Sequence, residues 1–272
     1  MTDPRPLCAL TIAGSDSGGG AGIQADLKTF AAHRVHGLSA IAALTAQNTR
    51  GVNAIHVPPT SFLRAQIDAC FDDFRIGAVK LGMLANAEVI HAVADALEFH
   101  RPPHIVLDPV MVATSGALLL DPDALDAMIG RLLPLATIIT PNIPEAEVLL
   151  GHAIVDATAA DAALDGLLAL GTNAVLLKGG HLLADVSVVD RYADHDTRAV
   201  FTHDRLNLRA HGTGCTLAAA ITANSCLGRT LLKACEAAIE YVHGALVHAY
   251  HPGGSDVAVL DHFWLSHAVP ND

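Results

Sequence analysis

An alternation constrains this chain more than any single motif. Short apolar, β-rich runs take turns with longer segments of helical period along most of the sequence. Residues 8–13, 78–81, 105–107, 137–140 and 174–177 read as strands. Between them, residues 23–35, 61–74, 87–99, 121–133, 144–150 and 157–170 read as helices. Strands separated by helices call for parallel pairing with crossovers, so the expected class is α/β, with a mainly parallel central sheet flanked by helices. Residues 38–45 fit strand or helix by period alone. Residues 53–57 form a short strand candidate stopped by Pro58-Pro59. Residues 186–192 and 198–202 form an antiparallel pair around Asp194-His195-Asp196, and residues 213–226 and 231–251 form two long helices. Thr60 and Asp121-Pro122 read as helix starts and Gly171 as a helix end. In the second helix, Phe62, Ala65, Ala69 and Phe71 mark the expected apolar face. No linker or repeat divides residues 1–272, so one domain is expected.

Composition narrows the function classes. A net charge of −12 argues against nucleic acid, which needs a basic face. With no run of about 18 apolar residues and no signal-peptide shape at the start, no membrane is expected and the location is read as cytoplasmic. The five cysteines include no C-x-x-C pair and are odd in number, which argues against a disulfide framework. None of the sixteen histidines falls in H-E-x-x-H, and most are assigned to surfaces.

In an open α/β sheet, ligands gather outside the carboxyl ends of the strands. Gly14-Ser15-Asp16, Lys80-Leu81-Gly82-Met83, Asp108-Pro109, Pro141-Asn142 and Lys178-Gly179-Gly180 all fall there. Two glycine-rich turns open helices. The first, residues 18–22, is neither a P-loop nor a dinucleotide fingerprint, since Ile23 stands where a third glycine belongs. It either brings amides to a ligand or is a plain flexible turn. The second is His211-Gly212-Thr213-Gly214-Cys215-Thr216. Its amides and helix dipole suit an anion, and a cysteine in such a first turn is expected to have a depressed pKa and be partly thiolate. Cys215 then takes a proton from a substrate hydroxyl or holds it in line with a phosphate; by itself the motif fits an incidental buried thiol equally well.

Lys178 reaches polyphosphate oxygens, or snorkels at the surface. Asp108 and Glu145, with Asn142, organise Mg²⁺ through water, or cap a helix and solvate a loop. Gln47 offers a donor and an acceptor to a heteroaromatic ring bearing an amino group, and Met83 offers soft apolar cover; each also fits ordinary packing.

Seven segments occur in order: AGSDSGGGAGIQADLKTF, LTAQNT, KLGML, LDPVM, TPNIPEAEVLL, LLKGGH and HGTGCTLAAAI. Together they closely resemble the hydroxymethylpyrimidine/phosphomethylpyrimidine kinases of thiamine biosynthesis, in the ribokinase-like superfamily. The resemblance runs over nearly the whole chain, to Asp261–Trp264. It implies a three-layer ribokinase-like sandwich, ATP as phosphoryl donor, Mg²⁺, a homodimer, and successive phosphorylation of 4-amino-5-hydroxymethyl-2-methylpyrimidine and its monophosphate. By motif it places Gln47 on the aminopyrimidine, Met83 and Val110 along its ring, and Gly14 and Asp26 near the substrate. Asp108, Asn142 and Glu145 would serve metal and phosphates, Lys178 the phosphates, and Gly212, Thr213, Gly214 and Cys215 the transferred group. One of Gly18 and Gly19 replaces a serine common in the family, and residues 191–205, the nucleotide flap, match no typical version. The alternatives are a pyridoxal or pyridoxine kinase on the same scaffold and a non-catalytic ligand-binding relative.

Overall fold

The computed structural model describes residues 5–111, 122–180 and 187–268. Among them, nine strands form one sheet in the order β3-β2-β1-β4-β5-β6-β7-β8-β9. The parallel centre comprises β2 (His36–Asn48), β1 (Cys8–Asp16), β4 (Ile76–Leu81), β5 (Ile105–Leu107), β6 (Ile138–Ile139) and β7 (Ala174–Leu177). Antiparallel neighbours complete both edges: β3 (Gly51–His56) on β2, and β8 (Ser187–Asp194) with β9 (Arg198–Asp204) beyond β7. The run at 38–45, ambiguous by period, is strand. The 186–192 and 198–202 hairpin is confirmed where described; Val186 lies outside the described residues, as does Asp121.

The sheet separates two helical layers because side chains alternate between its faces. Leu10, Ile12, Val79, Leu81 and Leu107 meet α2 (Thr60–Asp73), α3 (Ala87–His100), α4 (Pro122–Ala127), α5 (Ile143–Leu150) and α6 (Ala157–Ala169). Ala9, Ala78, Val106 and Leu176 meet α1 (Gly22–Ala32), α7 (Thr213–Cys226) and α8 (Leu231–Val247) on the other face. This is the three-layer sandwich expected. A two-stranded ladder, β10 (Ala210–His211) with β11 (Ala258–Val259), ties the start of α7 to the C-terminal segment.

Three local expectations fail for physical reasons. Leu63 and Ile67 are the fully buried residues of α2, while Phe62 is 60% exposed, so its inward stripe is rotated from the predicted one. Thr60 lies inside α2 and its hydroxyl bonds Glu88, leaving Pro59 at the cap position. The last helix stops at Val247 because the chain turns there to bring Tyr250 against Val259.

Candidate active site

The carboxyl ends of β1, β4, β5, β6 and β7 open into a cleft of about 710 Å³. Gly14, Gln47, Met83, Asp108, Val110, Asn142, Glu145 and Lys178 line it, as do Gly212, Thr213, Gly214 and Cys215. The structure therefore brings together every site residue read from the sequence except one. Asp26 does not line the cleft: it is fully buried under α1, accepting from Thr11 Oγ1 at 2.7 Å and Lys80 Nζ at 2.9 Å. An aspartate on the sheet-facing side of α1 meets the sheet, not the ligand space.

The two glycine-rich turns differ in what their amides do. In the first, Gly18 N donates to Asp16 Oδ1 at 2.8 Å, while Gly20 and Ala21 donate to Asp16 Oδ2 at 3.0 and 2.9 Å. Gly19 N is taken by the Asp16 carbonyl. The turn wraps its own carboxylate, which corrects the reading of these amides as ligand donors. Burial alone would raise the Asp16 pKa, but His211 and the Gly18 and Ala21 amides bring it below the ordinary value. In the second turn, Gly212 caps α7 with φ +89°, a conformation that suits glycine. Thr213, Gly214 and Cys215 form the first turn of α7, where backbone amides have no intrahelical acceptor, and all three residues line the cleft. The two turns touch backbone to backbone: a Cβ on Gly212 would lie 1.9 Å from the Gly20 carbonyl oxygen.

Beside the second turn stands a charged cluster. Lys178 Nζ lies 3.0 Å from Asp108 Oδ1 and 3.8 Å from Glu145 Oε2. A Cβ on Gly214 would come within 3.2 Å of Lys178 Nζ and 3.3 Å of Asp108 Oδ2, so this glycine lets α7 approach the pair. Burial would depress the Lys178 pKa, but Asp108 and Glu145 raise it, and the side chain stays cationic. Asn142 and Glu145 form a capping box on α5, with Glu145 N donating to Asn142 Oδ1 at 2.9 Å and Asn142 N to Glu145 Oε2 at 2.8 Å. The helix-capping alternative is thus real, and it is also what aims Glu145 at Lys178. Burial, with the Asp108 charge adding to it, pushes Glu145 up to about 7. Two oxygen donors whose negative charges crowd each other fit a hard, largely hydrated divalent cation held through water, in the manner of Mg²⁺.

In the same cleft, Gln47 Nε2 lies 3.0 Å from His211 Nε2, and Thr45 Oγ1 lies 3.2 Å from Gln47 Oε1. Gly14 makes room for Met83: a Cβ there would lie 2.7 Å from Met83 Cε. Cys215 departs from expectation in its charge. Burial pushes its thiol up to about 11, against the pull of Lys80 and the Gly22 amide, so the sulfur is protonated at neutral pH and not a resting thiolate.

Sequence reasoning placed Asp16 and Lys80 at strand ends without giving them a role, and it missed Asp190, His203 and His243, which line the hairpin side of the cleft. Lys80 had left a signal: a lysine inside an apolar, buried parallel strand needs a partner. The histidines had none, because only the β8–β9 hairpin brings His203 within 3.4 Å of Asp190 Oδ2.

The chain is similar to known kinases in sequence and fold. A hydroxymethylpyrimidine/phosphomethylpyrimidine kinase of Rhizobium meliloti is 50% identical over 240 residues, spanning 88% of this chain and 90% of that one. The crystal structure of phosphomethylpyrimidine kinase from Clostridium difficile 630 superposes with a TM-score of 0.80 at 42% identity, covering 88% of this chain and 99% of the other. An ADP complex of Bacillus subtilis pyridoxal kinase gives 0.89 at 34% identity over 96% and 99% of the two chains. Residues 16–259 match the family model described as phosphomethylpyrimidine kinase, and the chain belongs to that family of phosphotransferases.

Proposed function

We propose that this kinase phosphorylates the hydroxymethyl group of 4-amino-5-hydroxymethyl-2-methylpyrimidine with ATP, and then phosphorylates the monophosphate to the diphosphate, as a step of thiamine biosynthesis. One observation supports this above the rest. The first-turn residues of α7, Lys178 and Cys215 line one cleft together with Gln47 and Met83. The ring lies against Met83 and Val110, and Gln47 exchanges its contacts with His211 and Thr45 for the amino group and a ring nitrogen. The hydroxymethyl oxygen then faces Cys215. As thiolate, Cys215 accepts the hydroxyl proton, the oxygen's electron pair goes to the γ-phosphorus, and the bond to the ADP oxygen breaks. The Thr213–Cys215 amides and Lys178 stabilise the charge on the transferring group. Mg²⁺, when held by Asp108 and Glu145 through water, supplies charge neutralisation at the phosphates. Because the thiol rests protonated, orientation of the hydroxyl by a neutral Cys215 is the competing role for the same residue.

A second ring is favoured by a specific observation: the likeness to pyridoxal kinase covers 96% of this chain. Pyridoxal also presents a hydroxymethyl group on a nitrogen heterocycle. Steady-state ADP release with MgATP and each ring, followed by mass analysis of the products, distinguishes them. Preferred turnover of the aminopyrimidine, with mono- and then diphosphate appearing, is expected; preferred turnover of pyridoxal would reverse the assignment.

The edge hairpin β2–β3 exposes Leu44, Val52 and Ile55, and we read it as the contact of a homodimer. Sedimentation equilibrium giving a monomer at micromolar concentration would overturn that. We read the setting as the cytoplasm; among the described residues no helix is long and apolar enough to cross a membrane.

A further inference from the structure

Lys80 is a buried charged group that the mechanism above leaves without a task. It interrupts the otherwise apolar β4, and its side chain is fully buried, as is that of its partner Asp26. Register sets Lys80 beside Thr11 of β1, and both bond Asp26 Oδ2. Removing two charges from water is costly, and apolar residues of similar volume hold such a face together as well or better. Stability alone is a poor reason for this pair.

The helix above it supplies a reason. Ala78 packs with Ala219 and Ala223 of α7, and a Cβ on Gly77 would lie 3.1 Å from Cys226 Sγ. So α7 runs antiparallel over β4. Stepping back one turn at a time from Ala223 through Ala219 leads to Cys215. The strand, with its period of two, covers about 7 Å from Ala78 to Lys80, close to the roughly 6 Å of the last of those turns, from Ala219 to Cys215. Lys80 and Cys215 both line the floor of the cleft. A Cβ on Gly82 would lie 2.7 Å from Lys80 Nζ, so glycine there leaves the ammonium room. An ammonium has three protons, and Asp26 takes one.

The charges around the sulfur come from every element packed there. They are Lys80 on β4, Asp26 on α1, Asp108 after β5, Lys178 after β7 with Glu145 of α5 behind it, and the Asp16–His211 pair at the glycine turn. Lys80 is the strongest attractive influence on the thiol among them, opposed by Asp26 and Asp108.

We propose that Lys80 is a positioning residue, its ammonium held by Asp26 beneath the first turn of α7 to stabilise the anionic form of the Cys215 sulfur. This rests on the reading of Cys215 as proton acceptor. The one added step is a proton transfer: the S–H bond of Cys215 breaks, solvent water takes the proton, and the thiolate so formed is the species that takes the hydroxyl proton.

The test is the rate of iodoacetamide labelling at Cys215, mapped by mass on the full chain at pH 8 without substrates, in wild type, Lys80→Met, Lys80→Arg and Asp26→Asn. Labelling follows the thiolate fraction, which changes tenfold per pKa unit. Lys80→Met is expected to label about tenfold or more slowly, Lys80→Arg to recover most of the rate, and Asp26→Asn, whose amide oxygen still accepts from the ammonium, to label severalfold faster, because it removes an opposing charge. A pair that only holds the fold would move both single variants the same way. Wild-type labelling in Lys80→Met, or slower labelling in Asp26→Asn, overturns the proposal; if Lys80→Met does not fold, the Asp26→Asn arm decides alone. Near-normal turnover of Cys215→Ala would instead sink the underlying reading of Cys215, and labelling rates are measured without turnover, so the two failures are separable.

Discussion

The two glycine-rich turns look interchangeable as sequence, yet residues 18–22 fold onto their own carboxylate while residues 212–215 line the cleft with no side-chain cap on the helix they open. What separates them is the residue that precedes each. Asp16, at the end of β1, supplies three acceptor contacts within five residues and closes the first turn on itself. No carboxylate stands in the same place before Gly212, so the second turn starts α7 without a side-chain cap. Glycine richness thus reports close backbone approach, here of one turn to the other, and does not by itself report a ligand. The first turn is a buttress, and the second is the site it supports.

That contrast is most severely tested where the turns touch. Gly212→Ala puts a Cβ into the Gly20 carbonyl and into a backbone conformation that L residues resist, so a loss of more than about 4 kcal/mol is expected. Denaturant melts that match wild type would show that the contact is not tight. Asp16→Ala leaves three amides without their acceptor, which costs about 2–3 kcal/mol in the same melts. The surviving folded enzyme should keep kcat within about tenfold, since Asp16 bonds its own turn and His211 and only Gly22 of that turn reaches the Cys215 sulfur; a kcat loss near that of a Cys215 variant would move Asp16 into the reaction. Gln47 links the turns, exchanging backbone bonds with Ser17 and meeting His211 through its side chain. Gln47→Leu is expected to weaken aminopyrimidine binding by about 1–2 kcal/mol in calorimetry with little change in melting, and unchanged affinity would remove Gln47 from ring recognition.

Much of this was legible from sequence because buried parallel strands are short and apolar and their polar ends stand out. Lys178, Asp108 and Glu145 were found that way, and the structure sets Lys178 within 4 Å of both carboxylates. What was not legible depended on facing. Asp26 reads as a site residue beside a glycine turn, but helix phase turns it into the sheet. Phe62 reads as core in α2, but Leu63 and Ile67 take that place. The protonation of Cys215 could not be read either. Helix position argues for a thiolate, whereas burial and the nearby carboxylates decide for the thiol, and burial is a property of the assembled cleft.

The central claim is that the second turn performs the transfer and that Cys215 is its reacting group. Its most direct test is the kcat and KM of Cys215→Ala with MgATP and the aminopyrimidine, set beside the wild-type pH profile. The account predicts a fall in kcat of about 100-fold or more, with KM changed little and melting unaltered. It also predicts that wild-type kcat/KM rises between pH 6 and 9, since the thiol is pushed up to about 11 and its thiolate fraction grows with pH below that value. A variant that turns over at a near wild-type rate would contradict it.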